Sequence, residues 1–188
     1  MALTAQAYGM IPVQNMNGQD RARQFAILPA YTTAIYKGSL VKINGTGGGI
    51  ELGDGTTDAL GVFAGCEYTD PTGKPCVSNY WPGTASCTDI KAYVYCDPAT
   101  LYKVGVSANG ANFTQDVMGG EVDVANPTTG STSTGLSTSS VSATPGAAVA
   151  QLQVLGFVNG PYDATANPFP ELIVRLSQSQ IAGDKTGV

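Results

Sequence analysis

The stretch AIYKGSLVKINGTGGGIELGDGTTDALGVFAGCEY, residues 34–68, decides the fold. Its apolar, β-branched runs alternate with glycine-rich turns, a pattern typical of short strands joined by tight reversals. Four glycines within residues 45–49 permit such a reversal, because glycine adopts positive φ without steric cost. The pair Asp54-Gly55 is a strong hairpin signal. The stretch therefore predicts a β-meander of three strands, at residues 35–43, 50–52 and 60–68.

Composition bounds the class of protein before any motif is considered. Charged residues make up 12% of the 188 residues, against roughly 25% in an ordinary soluble protein. The net charge is −5, and the nine Lys and Arg residues are scattered, so we expect no basic patch and no binding to nucleic acid. The chain has no apolar run of the length that a membrane helix needs and no signal-peptide pattern, so we expect no association with a membrane.

The pattern of residues 37–63 resembles one found in the small, β-rich head decoration proteins, or cement proteins, of tailed bacteriophages. It consists of Lys-Gly-Ser-Leu-Val, a glycine loop, a short strand and Leu-Gly-Val-Phe. The resemblance implies a structural virion protein, made in the host cytoplasm, that binds the major capsid protein on the outer capsid surface and stabilises the shell. It also implies a homotrimer. Outside the matched segment lie a cysteine-bearing loop and a Ser/Thr-rich tract.

Four cysteines, Cys66, Cys76, Cys87 and Cys96, fall within one 31-residue stretch. Two disulfides with three possible connectivities, or free thiols, are both compatible with this spacing. A metal site is not expected, because no two cysteines form a close pair and the chain contains no histidine.

Catalytic signatures are missing from the sequence. Without histidine, the common Ser-His-Asp and Cys-His arrangements are excluded, and the glycine run at 45–49 lacks the Lys-Ser/Thr of a phosphate-binding loop. The carboxylates of Glu67 and Asp70 could meet in space, but acidic residues beside Gly, Pro and Thr are more often turn formers. We therefore expect a protein that is not an enzyme and needs no cofactor.

Residues 1–24 show neither helical nor alternating periodicity, so they predict an extended N-terminal arm. Such an arm cannot order itself, and we expect it to lie on the shell by adding a strand to a capsid element. Arg21 and Arg23, near its base, are the expected contacts with an acidic shell surface. Residues 25–188 would then form a single β-rich domain.

Residues 69–88 are rich in proline and glycine and predict a long loop that presents Tyr80 and Trp81. We expect these aromatics at a contact with the capsid or with another subunit. Two alternatives are a carbohydrate- or receptor-binding β-sandwich module that uses Tyr68, Tyr80 and Trp81, and a core role in which the aromatics cap the end of the β-domain.

The rest of the chain adds strands. Residues 90–97 alternate cleanly between apolar and polar, and residues 101–106 are the expected hairpin partner after the Asp97-Pro98 turn. Of residues 126–147, 12 of 22 are Ser or Thr, which cannot form a core alone and is typical of an exposed loop. Strands follow at 151–158 and 171–177. The predicted fold is all-β: a small barrel or sandwich of short antiparallel strands with an extended N-terminal arm and long loops.

Overall fold

The computed structural model describes residues 7–55, 58–84, 86–107, 113–142, 144, 150–158 and 169–181. Within these ranges the chain is all-β, and its several antiparallel sheets do not close into a barrel. The arrangement is that of a β-sandwich, which confirms the predicted fold class. The helical structure in the described ranges is a single 3₁₀ turn, Gln115–Val117.

The strands follow one another at short intervals. In chain order they are β1 Ile11–Asn15, β2 Ala22–Phe25, β3 Ile35–Tyr36, β4 Leu40–Ile43, β5 Ile50–Leu52, β6 Gly61–Thr69, β7 Pro75–Ser78, β8 Tyr80–Trp81, β9 Thr88–Tyr95, β10 Thr100–Gly105, β11 Glu121–Val122, β12 Val124–Ala125, β13 Ser140–Val141, β14 Leu152–Phe157 and β15 Glu171–Leu176.

Two large sheets contain most of these strands. Sheet 1 has the order β1-β10-β15-β14-β11. Sheet 2 has the order β2-β9-β6-β4-β5, and β7 pairs with the second half of β6. The described residues also form two small ladders, β12 with β13 and β3 with β8.

Sheet 2 is covered on both faces, because neighbouring residues of one strand belong to different apolar clusters. On β6, Val62 packs with sheet 1 side chains such as Val174, whereas the next residue, Phe63, packs with Trp81. Successive side chains of a strand point to opposite faces. Sheet 1 therefore covers one face of sheet 2, and the β3–β8 ladder covers the other.

The three strands of the 34–68 stretch exist, but they do not form a meander. β6 pairs with β4, through Gly61 opposite Val41, so β5 is left at the edge of sheet 2. The predicted first strand is also divided at Gly38, whose φ of 89° requires glycine. The part before Gly38 is β3, which pairs with β8 instead.

The hairpin predicted for residues 90–106 is wrong, although both of its strands are present. β9 belongs to sheet 2 and β10 to sheet 1, so the Asp97-Pro98 turn carries the chain from one sheet to the other. Asp97 shapes this turn, since its Oδ1 accepts a hydrogen bond from the backbone N–H of Ala99 at 2.9 Å. The hydroxyl of Tyr102 donates to the carbonyl oxygen of Tyr95 at 3.0 Å and ties the two strands across the sheets. The strands predicted at 151–158 and 171–177 are confirmed as β14 and β15, which pair with each other.

The N-terminal arm predicted to reach out of the domain is wrong for residues 11–24. β1 pairs with β10 in sheet 1, and β2 pairs with β9 in sheet 2. Met10 is buried in the core between the sheets. The ordering energy therefore comes from this chain's own strands rather than from a partner. Residues 1–6 of the predicted arm lie outside the described residues.

The two predicted long loops also contain paired structure. Residues 69–88 include β7 and β8, each paired with a strand from the 34–68 stretch. In the Ser/Thr-rich segment, Ser137, Ser139 and Ser140 are buried, so this part is not an exposed insertion. Serine side chains are small enough for this part of the backbone to pack closely against the rest of the domain. The hydroxyls of Ser137 and Ser139 lie 2.8 Å apart, in hydrogen-bond contact. Residues 85, 143 and 145–147 lie outside the described residues.

Candidate contact surfaces

Trp81, predicted to contact a capsid or a second subunit, has no exposed surface in this structure. Its indole N–H donates a hydrogen bond to the carbonyl oxygen of Tyr31 at 3.2 Å. Its ring meets that of Tyr68 edge to face, with centroids 5.4 Å apart. Because a fully buried side chain can neither contact another subunit nor stack on a sugar, Trp81 belongs to the core. The prediction of an intersubunit anchor is wrong for this residue.

Tyr80, the second predicted contact, is half-buried and stacks on Tyr36 with a centroid distance of 5.7 Å and an angle of 15°. The Ser/Thr-rich segment closes over this pair, because Gly130 lies directly against the Tyr36 ring and Gly135 against Tyr80. We call Tyr36, Tyr68, Tyr80 and Trp81 the aromatic corner. Its rings contact one another and their own chain, so they do not form an open platform for a ligand.

The four cysteines carry free thiols, so the disulfide alternative is not realised in this structure. Cys66, Cys87 and Cys96 are buried, and Cys76 is half-buried. Burial raises the pKa of the Cys66 thiol to about 12, and it also raises the pKa of the Cys87 and Cys96 thiols. A thiol with a raised pKa stays protonated near neutral pH, and protonated thiols are poor nucleophiles and poor metal ligands.

Arg21 and Arg23 are exposed, as a contact with a partner requires. Arg23 lies on β2, at an outer edge of sheet 2, opposite Val94. The pKa of the neighbouring Asp97 is lowered, chiefly by hydrogen bonds from the Ala99 N–H and the Asn15 amide, and to a smaller degree by the positive charge of Arg23. Arg23 therefore already interacts with its own chain.

The largest exposed apolar feature near the N-terminus was not predicted from the sequence. Ile11, Val13 and Met16, on and just after β1, expose 42%, 49% and 61% of their surfaces. β1 is the outer strand of sheet 1, so these side chains stand at a free sheet edge. We call residues 11–16 the N-terminal edge. Ile11 and Val13 are β-branched residues, which favour strands, but two such residues are too few to distinguish a strand from an extended arm.

The described residues do not bring together a catalytic pair of carboxylates at Glu67 and Asp70 or a cluster of metal ligands. Glu67 accepts a hydrogen bond from the Tyr93 hydroxyl at 2.7 Å, whereas Asp70 accepts one from the Thr72 hydroxyl at 2.6 Å within its own turn. The two carboxylates thus have separate partners. In the described ranges, no three His, Cys, Asp or Glu side chains meet in a way that could hold a metal ion. Nor does any described helix have the length and apolar character needed to cross a bilayer.

Comparison of the chain with family models, with curated proteins and with solved structures found no match. The fold and the exposed surfaces are therefore the basis for a functional proposal.

Proposed function

We propose that this protein is a structural virion protein of a tailed bacteriophage, which binds the outer surface of the capsid and stabilises the shell. Its partners are the major capsid protein and further copies of itself in a homotrimer. The observation that carries the proposal is the N-terminal edge, where a free strand presents apolar side chains to solvent. The sequence pattern at residues 37–63 supports the same assignment.

A free edge strand is a ready surface for another protein chain. It offers backbone N–H and C=O groups, and β-proteins usually protect such edges with charged side chains or proline. Residues 11–16, IPVQNM, contain one proline and no charge. A β-bulge at Val13 also interrupts the pairing with β10, so the edge is partly protected against strand addition, but it carries no charge, and its apolar side chains can be removed from water by a partner.

Arg21 and Arg23 supply a second, electrostatic component of the proposed contact. Both are exposed on a chain whose net charge is −5, so acidic groups of a shell can reach them, and Arg23 would then share its charge between the shell and Asp97 of its own chain. Contacts between exposed charges weaken as salt screens them. We expect the binding to weaken as the salt concentration rises, while the apolar component at β1 persists.

The test is cosedimentation of the purified chain with empty shells assembled from the major capsid protein of the same virus. Val13→Lys should reduce binding at least tenfold, because it places a charge on the free edge without touching the core. Val77→Lys is the matched control, since Val77 is 86% exposed on another outer strand, β7. Failure of the unmodified chain to bind, or equal binding by both variants, would overturn the proposal.

Native mass measurement of the bound form tests the trimer, and isolated single copies would contradict it.

A further inference from the structure

A surface pocket with a cavity volume of about 280 Å³ opens beside the N-terminal edge. Its walls come from five parts of the chain: residues 8–12 before and at the start of β1, the turn between β3 and β4, the first half of β6, Tyr95 at the end of β9, and Leu136 in the Ser/Thr-rich segment. Met10, Val62 and Phe63 form its buried wall, whereas Ile11 and Leu136 are 42% and 39% exposed. The pocket is thus an apolar cavity whose rim is only partly covered.

One charged residue, Lys37, lines this pocket. Lys37 is exposed, and none of the ion pairs within the described residues involves it. The nearby Lys103 already has partners of its own: its ammonium lies 3.2 Å from a Glu171 carboxylate oxygen and 5.2 Å from the Tyr8 ring centroid. An apolar pocket whose lining includes one cation, without an ion-pair partner among the described residues, is complementary to a ligand that has an apolar body and one negative charge.

We propose that the pocket binds an amphiphilic carboxylate, whose hydrocarbon chain fills the cavity and whose carboxylate pairs with Lys37. The volume lies near the lower end of small-molecule pockets, which run from roughly 300 to 1,000 Å³. A methylene group occupies nearly the volume of a water molecule, roughly 30 Å³, so the cavity fits a chain of about ten carbons. The pocket shares Ile11 and Pro12 with the N-terminal edge, whereas Val13 and both arginines lie outside its lining, so Val13→Lys alters the proposed shell contact without altering the pocket wall.

The two ends of such a ligand contribute unequally. Each methylene moved from water into an apolar site strengthens binding about fourfold. An exposed ion pair contributes much less, because water and salt screen it. The hydrocarbon chain therefore sets the affinity, and Lys37 sets the orientation and the preference for an anion over an uncharged alcohol. Filling the pocket should likewise cover the exposed parts of Ile11 and Leu136.

Isothermal titration calorimetry of the full chain with decanoate, hexanoate and 1-decanol tests this proposal, each below its aggregation concentration. We expect saturable one-to-one binding of decanoate, binding of hexanoate weaker by at least a hundredfold, and binding of 1-decanol weaker than decanoate by several-fold. Lys37→Glu should weaken decanoate by about tenfold and leave 1-decanol unchanged. Lys74→Glu, at an exposed lysine outside the pocket, is the matched control and should change neither.

A variant that fills the cavity provides the complementary test. Ala64 lines the pocket, so Ala64→Leu should abolish binding of both ten-carbon probes, and Lys37→Glu keeps the test decisive if the Ala64 variant does not fold. No saturable binding of decanoate by the unmodified chain would overturn the proposal and would favour an apolar side chain of a protein partner as occupant. Equal losses in the Lys37 and Lys74 variants would also overturn it. Loss of shell binding in Val13→Lys with intact decanoate binding would separate the two sites.

Discussion

The aromatic corner and the N-terminal edge reverse what their sequences lead one to expect. Two members of the corner, Tyr80 and Trp81, lie in a segment rich in proline and glycine, which is typical of an exposed loop, yet Trp81 is fully buried. The edge lies in a segment without periodicity, yet it forms a strand that exposes Ile11 and Val13. Whether a side chain is available to a partner is therefore decided by which distant residues pair with it, more than by local composition.

The partners of Trp81 show why local sequence was misleading. Its ring contacts Tyr31 and Tyr68, which lie 50 and 13 positions earlier in the chain. Gly130 covers the neighbouring stack of Tyr36 on Tyr80. None of these contacts is visible in residues 69–88. The N-terminal edge has the opposite arrangement: β1 is paired on one side, with β10, and its other side has no strand partner within the described residues.

Trp81→Ala tests whether the aromatic corner belongs to the core. We expect a loss of about 3–5 kcal/mol in the free energy of unfolding, because the substitution leaves a large cavity in the core. Urea denaturation followed by tyrosine fluorescence and circular dichroism measures it. Val77→Ala is the control and should stay within about 0.5 kcal/mol, since Val77 is 86% exposed. A stable Trp81→Ala variant that failed only in assembly would restore the role of an intersubunit anchor.

The sequence predicted the longer strands of the later chain better than their partners, and it missed β1 and β2 in the N-terminal segment and β7, β8 and β13 in the two predicted loops. β5, β9, β14 and β15 were located by alternation and turn residues alone, because both signals act within a few residues. The pairing of β6 with β4 and the passage of β9 and β10 into different sheets were missed. An alternating strand has the same pattern whichever neighbour it has, so the choice is made by long-range packing.

The candidate site residues divide in the same way. Arg21 and Arg23 are exposed, as charged residues usually are, and this requires no knowledge of the fold. Tyr80 and Trp81 are aromatic, and such residues occur both in cores and at interfaces. The pocket beside β1 could not be predicted from the sequence, because its walls come from residues as distant in the chain as Ile11 and Leu136.

A second variant tests how tightly the aromatic corner is closed. A methyl group at Gly130 would overlap the ring of Tyr36, so Gly130→Ala should displace Tyr36 from its stack on Tyr80. We expect a loss of about 1–3 kcal/mol, the usual cost of overpacking a well-packed site. Gly45→Ala is the control, because a methyl group there meets no atom within 4 Å. Equal stabilities of the two variants in thermal and urea denaturation would mean that the corner is looser than the structure indicates.

The smallest expected effect concerns the polar link that holds the start of the N-terminal edge. The Tyr8 hydroxyl donates a hydrogen bond to Glu171 on β15 at 2.6 Å, and Lys103 lies 3.2 Å from the same carboxylate. Burial alone would raise the pKa of Glu171. The bonds from Tyr8 and Lys103 outweigh it, so the pKa is lowered from its usual value. A carboxylate with a lowered pKa stabilises the folded state above its unfolded pKa, and this contribution disappears as the pH falls through the folded value.

Tyr8→Phe removes one of these bonds and should lower the free energy of unfolding by about 1 kcal/mol near neutral pH. The difference from the unmodified chain should be constant from about pH 6 to pH 8, because Glu171 stays ionised there and the raised pKa of Tyr8 keeps its hydroxyl protonated. It should shrink as the pH falls below the usual carboxyl value of 4.5, because protonation of Glu171 weakens the bond that the variant lacks. Tyr93→Phe is the matched control: its hydroxyl also donates to a carboxylate, Glu67, but that side chain is 41% exposed, so we expect a smaller difference. Urea unfolding midpoints at several pH values measure both variants. A Tyr8→Phe difference that persisted unchanged at low pH would mean that Tyr8 acts through packing beside the pocket and not through its bond to the carboxylate.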